Sequence, residues 1–193
     1  MSLTSPTGPA PRPPKRGFTV IELMVTVAVA AILVAIAVPA FNNFVLNDRD
    51  ISQINSLVAS FNYARSEAIK QNLPAGVEVC PSSNGNTCNG TPAWSGGWIV
   101  HNKDPSLAGT PQAVIQAVPA LAGGNTVTAA LSGASGITFQ GNGGLLNSNQ
   151  LAIKICDPRG SAFAREVAVG ATGKVAATQT AGQQVSGALL TCP

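Results

Sequence analysis

The sequence predicts an α+β chain: one long N-terminal helix, its first half able to span a membrane, laid over an antiparallel β-sheet domain. Three observations predict it. From Phe18 to Phe44 there are 27 residues, almost all apolar, with Glu22 the only charge. Beyond Pro39 the apolar residues Phe44, Ile51, Ile54, Val58, Phe61, Ala64 and Ala68 recur at steps of three, four or seven, which is a single helical stripe. From residue 77 onward the pattern changes to short β-type runs separated by Gly, Asn and Pro clusters.

Residues 1–17 hold five prolines and the three basic residues Arg12, Lys15 and Arg16, so they can neither insert in a bilayer nor pack as a helix. They read as a leader. Residues 18–47 read as a membrane helix, since at ~1.5 Å per residue the apolar run exceeds a ~30 Å hydrocarbon core. The basic residues lie just before it and Asp48, Arg49 and Asp50 just after, so the positive-inside bias places the N-terminus in the cytoplasm and residues 48–193 outside. The candidate processing point, Gly17 before Phe18, precedes the apolar core rather than following it, so the helix is expected to be retained. Glu22 is expensive there, on the order of 2.5–3.5 kcal/mol at a helix centre, and needs a partner or a helix-terminal position.

Pro39 lacks an N–H and crowds the preceding turn, which predicts a kink. The helix is expected to continue to Gln71, with Asp48, Arg49, Gln53, Asn62, Arg65, Glu67 and Lys70 on its polar face and Pro74 with Gly76 ending it. Strands are expected at Val77 to Cys80, Gly97 to His101, Ala113 to Val118, Ile137 to Phe139, Leu151 to Cys156, Arg165 to Val169 and Lys174 to Ala177. Trp94 and Trp98 flank a glycine pair and read as core or sheet-edge packing. Residues 105–153 carry no charged side chain and read as long surface loops or a polar face against neighbouring subunits.

Eight basic and eight acidic residues follow residue 17, and that balance argues against nonspecific nucleic-acid binding. Four cysteines, at 80, 88, 156 and 192, all lie beyond the membrane helix in an exported, oxidising compartment and predict two disulfides. Local closure favours Cys80 with Cys88 and Cys156 with Cys192; two other pairings stay open. A zinc site is disfavoured by the lack of C-x-x-C and by a single histidine, His101, which reads as a strand-end surface residue. No G-x-S-x-G elbow or paired carboxylates are found, and Gly141-Asn142-Gly143-Gly144 has neither a Walker lysine nor the G-x-G-x-x-G spacing. An enzyme is not expected, and no cofactor or metal.

The string Lys15-Arg16-Gly17-Phe18-Thr19-Val20-Ile21-Glu22-Leu23 resembles the class III signal of type IV pilins and type II secretion pseudopilins. That resemblance implies cleavage after Gly17 by a prepilin peptidase, N-methylation of Phe18, an assembly role for Glu22, and Pro39 as the pilin helix kink. The domain is similar to the GspH/FimT branch in Tyr63-Ala64-Arg65-Ser66-Glu67-Ala68, Gly97-Trp98-Ile99-Val100, Ile137-Thr138-Phe139 with Gly141 and Gly143, and Arg165-Glu166-Val167-Ala168-Val169 before Gly173-Lys174-Val175.

The resemblance implies a type IV pilin-like fold and a low-abundance subunit that helps to initiate a type IV pilus or a type II secretion pseudopilus for protein secretion. Its partners would be major and minor pilins or pseudopilins, the peptidase, and an inner-membrane assembly platform. The alternative is a DNA-binding minor pilin acting in DNA uptake during transformation, with Lys154, Arg159, Arg165 and Lys174 as contacts. The branch's G-R-x-R motif corresponds here to Gly173-Lys174-Val175-Ala176, with lysine for the first arginine and none for the second.

Overall fold

A computed structural model describes residues 17–72, 75–104, 113–131, 136–148 and 150–192. The expected leader therefore lies, but for Gly17, outside the described residues, as do Pro74 and parts of the uncharged 105–153 stretch. One helix, α1 (Val20–Gln71), is followed by eight strands: β1 (Val77–Pro81), β2 (Trp98–Asn102), β3 (Val114–Val118), β4 (Thr126–Leu131), β5 (Ile137–Phe139), β6 (Leu151–Cys156), β7 (Arg165–Val169) and β8 (Val175–Ala177). The chain divides into two units between Asn43 and Phe44.

The first unit is helical from Val20 onward, with every side chain from 17 to 45 exposed. Its most apolar 18-residue window has a mean hydropathy of 2.7 and none of it is buried. By length and composition this helix can cross a membrane. Pro39 lies inside α1, where it leaves the Ala35 carbonyl without its i+4 donor.

The second unit begins on the rest of α1, which reaches Gln71 as the stripe predicts and ends at Asn72, whose left-handed φ of 45° suits a short polar side chain. The strands form two four-stranded antiparallel sheets, in the orders β3-β2-β1-β5 and β4-β6-β7-β8. Both lay their inner faces on one core. Ile54, Leu57, Phe61, Ala64 and Ala68 of α1 meet Val77, Val79, Trp98, Val100, Ile137 and Phe139 of the first sheet and Leu151, Ile153, Ile155, Val167 and Val169 of the second. Each fully buried Leu, Ile, Val or Phe here contributes about 1.5–3 kcal/mol. Trp94 and Trp98 are both completely buried, and the Trp98 indole N–H donates to Ser60 Oγ at 2.9 Å.

The stripe differs from expectation in detail. Phe44 and Ile51 stay 60% and 39% exposed, while Asp50 and Gln53, the latter expected on the polar face, turn inward. The Asn125 amide explains this: its Nδ2 donates to Asp50 Oδ1 at 2.8 Å and to Gln53 Oε1 at 2.7 Å, so the inward polar groups are partnered. The seven expected strands are present within a residue or two, and β4 is an addition. Its small, uncharged sequence, with Val127 and Ala129 packed inward, carries too little apolar weight to stand out beside Gly123 and Gly124.

Candidate functional site

Two regions stand out: the start of α1, where the sequence places its processing and assembly residues, and the junction where α1 meets both sheets, which the sequence does not single out. At the first, the Glu22 amide N–H donates to Thr19 Oγ1 at 3.2 Å, so Thr19 caps the helix and Glu22 sits in its first turn. Thr19-x-x-Glu22 is the spacing of a capping box, a signal the sequence contains and that accounts for the carboxylate at the positive end of the helix dipole. Gly17 and Phe18 directly precede this cap, exposed.

At the second, Arg65 joins three segments. Its Nε donates to the Gly143 carbonyl at 3.0 Å and its Nη2 to the Thr172 carbonyl at 3.4 Å. Gly143 and Gly173 both hold positive φ, 78° and 74°, and a Cβ on Gly173 would collide with the Gly143 carbonyl. Gly141 is similarly closed in by Asn72 at the helix end. The helix-end, Gly141/Gly143 and Gly173 motifs thus meet at one guanidinium that ties the β5–β6 and β7–β8 turns to α1.

The cysteines form both expected disulfides, Cys80–Cys88 and Cys156–Cys192. The second fastens the C-terminal tail: Cys156 packs with Ala164 and Leu190, and the Cys192 N–H donates to Ser161 Oγ at 3.0 Å. The first lies beside a charged group. Strands β1 and β2 pair Glu78 with His101, and Glu78 Oε2 is 3.2 Å from both His101 Nε2 and Lys103 Nζ. Burial pushes the Glu78 carboxyl up, but the His101 hydrogen bond and the Lys103 charge outweigh it and hold it below the ordinary glutamate value. His101 is half-buried rather than on the surface, with Nε2 3.3 Å from Cys88 Sγ.

The four basic residues of the last third do not converge. Arg159 is committed to an interior cluster: its Nη2 is 3.2 Å from Asp50 Oδ2, it pairs with Asp157, and its guanidinium lies over the Phe163 ring at 4.1 Å. Burial pushes the Asp50 carboxyl above its ordinary value, with the neighbouring Asp157 adding to the shift and Asn125 opposing it. Lys154 donates to the Thr191 carbonyl and, on β6, stands opposite Glu166 of β7. Arg165 opens β7 and Lys174 lies beyond its other end, so of the four only Lys174 is exposed.

Residues 53–173 match the family described as Type II transport protein GspH, and residues 12–38 match the prokaryotic N-terminal methylation motif. The fold is similar to the crystal structure of the type IV minor pilin FimU from Pseudomonas aeruginosa strain PAO1, at 21% identity and a TM-score of 0.52 over 71% of this chain and 98% of that one. A second crystal form of FimU aligns at 20% identity and a TM-score of 0.49 over 67% of this chain and 97% of that one. A methylation motif on an exposed apolar helix, continued into a helix-on-sheet domain that the GspH match covers from α1 to the β7–β8 turn, places this chain in the GspH family of structural, pilin-like subunits.

Proposed function

We propose that the chain is a minor pilin-like subunit that is cut after Gly17, methylated on Phe18 and held by residues 18–47 in a bacterial inner membrane, N-terminus inside. Residues 48–193 then form its periplasmic domain, and residues 1–17 its leader. From the membrane it would be extracted by an assembly platform to help initiate a type IV pilus or a type II secretion pseudopilus. The observation that carries this reading is the first half of α1, apolar but for Glu22 through its membrane-length stretch and exposed from Val20 to Val45. Such a surface requires either lipid or the matching helices of other subunits, and transfer from one to the other keeps it dry throughout.

Glu22 gives that transfer a register. Once Gly17 is removed, the new amine on Phe18 is a cation, and pairing Glu22 with the amine of a neighbouring subunit offsets the cost of a carboxylate in an apolar bundle. Mass spectrometry of the membrane-extracted chain tests the processing: a methylated Phe18 terminus is expected, and an intact leader in cells that process their major pilin refutes it. Glu22→Ala should insert and be processed yet enter filaments poorly; normal incorporation would reduce Glu22 to a helix-terminal charge.

A further inference from the structure

The outer face of the first sheet carries a set of donor atoms that the assembly role does not use. Strand alternation sends Glu78 and Cys80 to the same side of β1, opposite the core-facing Val77 and Val79. The antiparallel register sets His101 of β2 directly against Glu78. The loop after β1 then returns Cys88 to Cys80. As a result the Sγ atoms of Cys80 and Cys88 and a ring nitrogen of His101 all lie within 4.8 Å of one another, with Glu78 Oε2 3.2 Å from His101 Nε2. Among the described residues this is the one such gathering of three or more His, Cys, Asp or Glu donors.

In the closed disulfide the sulfurs have no thiolate to offer. Opened, the same positions present two thiolates, an imidazole and a carboxylate, a donor set and count suited to a tetrahedral, borderline-soft divalent ion. We propose that the reduced form of the Cys80–Cys88 pair binds one Zn2+ through Cys80 Sγ, Cys88 Sγ and His101 Nε2, with the Glu78 carboxylate in the fourth position. The opening step runs against the oxidising compartment in which this domain is read to sit, so it needs a protein dithiol exported to the same side: two electrons enter the S–S bond, two protons complete the thiols, and that donor leaves as its own disulfide. Zinc then displaces the two thiol protons; the neutral His101 ring keeps its proton on Nδ1, 3.2 Å from the Asn102 carbonyl, so that Nε2 is free to ligate, and Glu78 gives up its pairings with His101 Nε2 and Lys103. Cys80 is buried, whereas Cys88, His101 and Glu78 are half-buried and give the ion its approach. Metal and disulfide are therefore alternative closures of the same short loop, and the metal shields both sulfurs from reoxidation. The second cysteine pair lacks this surrounding, since Cys156 and Cys192 pack with Ala164 and Leu190.

The test uses the full chain in detergent micelles, reduced with a phosphine that is then removed without air. Titration with Co2+ alone should give thiolate-to-cobalt charge-transfer absorption with tetrahedral d–d bands, saturating at one ion per chain and abolished by Zn2+. His101→Ala should weaken binding by roughly tenfold or more, the scale on which metal sites respond to lost support. In wild type, Zn2+ should slow alkylation of Cys80 and Cys88 at least about tenfold relative to Cys156 and Cys192, read peptide by peptide; this arm needs no variant to fold. Absence of the cobalt absorption, equal protection of all four cysteines, or unchanged affinity in a folded His101→Ala chain each overturns the site.

Discussion

Replacing Arg65 with alanine removes a side chain that bonds to the β5–β6 and β7–β8 turns at once. Its hydrogen bonds run to Gly143 O at 3.0 Å and Thr172 O at 3.4 Å. A hydrogen bond from a charged donor contributes about 1.5–3 kcal/mol, and the longer contact, near the limit of bonding distance, adds a fraction of that. The side chain is half-buried, so its stem packing is lost as well. Together these give a destabilisation of about 2–3 kcal/mol for Arg65→Ala. Arg65→Lys should recover less than half, because an ammonium cannot present the guanidinium's two separated donors in a fixed plane. Gly173→Ala strikes the same junction from the other side, since its φ of 74° costs an alanine about 1–2 kcal/mol before the collision with the Gly143 carbonyl is counted. The double variant should be less destabilised than the two singles added, because either change already loosens the contact. Denaturant unfolding of the full chain in detergent, followed by the fluorescence of the buried Trp94 and Trp98, measures all three. An Arg65→Ala chain within about 0.5 kcal/mol of wild type, or strict additivity with Gly173→Ala, would refute the clasp.

Arg159→Leu strands the buried Asp50 and Asp157 carboxylates, so it should cost about 3–5 kcal/mol at pH 7. Because folding raises the Asp50 carboxyl above its unfolded value, protonation favours the folded chain and the loss should shrink as pH falls; equal losses at pH 5 and 7 in denaturant titrations would show that Asp50 is not the stranded group. Glu78 is shifted the other way, so its contribution is complete above its unfolded value of about 4.5 and is lost as pH falls through the lower folded value. Glu78→Gln should accordingly flatten the acid limb of the stability profile, and parallel limbs would contradict the assignment. The full chain should bind duplex DNA weakly at low salt and lose it steeply by roughly 150 mM; tight binding there that Arg165→Ala with Lys174→Ala abolishes would instead favour a role in DNA uptake.

What could be read from the sequence was whatever depends on local period. The apolar run to Phe44, the helix to Gln71 and seven of the eight strands each repeat their signal over several neighbouring residues, so one exception does not hide them. β4 escaped because its inward residues are Val127 and Ala129, small enough to look like loop. Gln53 was read on the polar face, and Asp50 assigned to neither face, for a different reason: a polar side chain faces inward only if something far along the chain satisfies it, and Asn125 is more than seventy residues away. The disulfides were partly legible, since short separation narrowed three pairings to a preferred one.

The same distinction explains why the junction at Arg65 and the cluster at His101 were not seen as sites, although every residue in them was in plain view. Arg65 read as one polar-face cation among several, and its role depends on two carbonyls, 78 and 107 residues downstream, whose turns need glycine at Gly143 and Gly173 to come close enough. His101 read as a strand-end residue because a search for metal ligands looks for short spacings such as C-x-x-C. Here the spacing that matters runs across the sheet, where Glu78 and His101 are 23 positions apart in sequence yet directly opposed in register. A one-residue slip of β2 against β1 would send His101 to the other face and leave Glu78 beside a different side chain, since strand side chains alternate with period two. Trp98 and Val100 belong to the core cluster and Ile99 between them does not, so that slip would pull both out of the core. Core packing on the inner face of the first sheet is therefore what fixes the chemistry on its outer face.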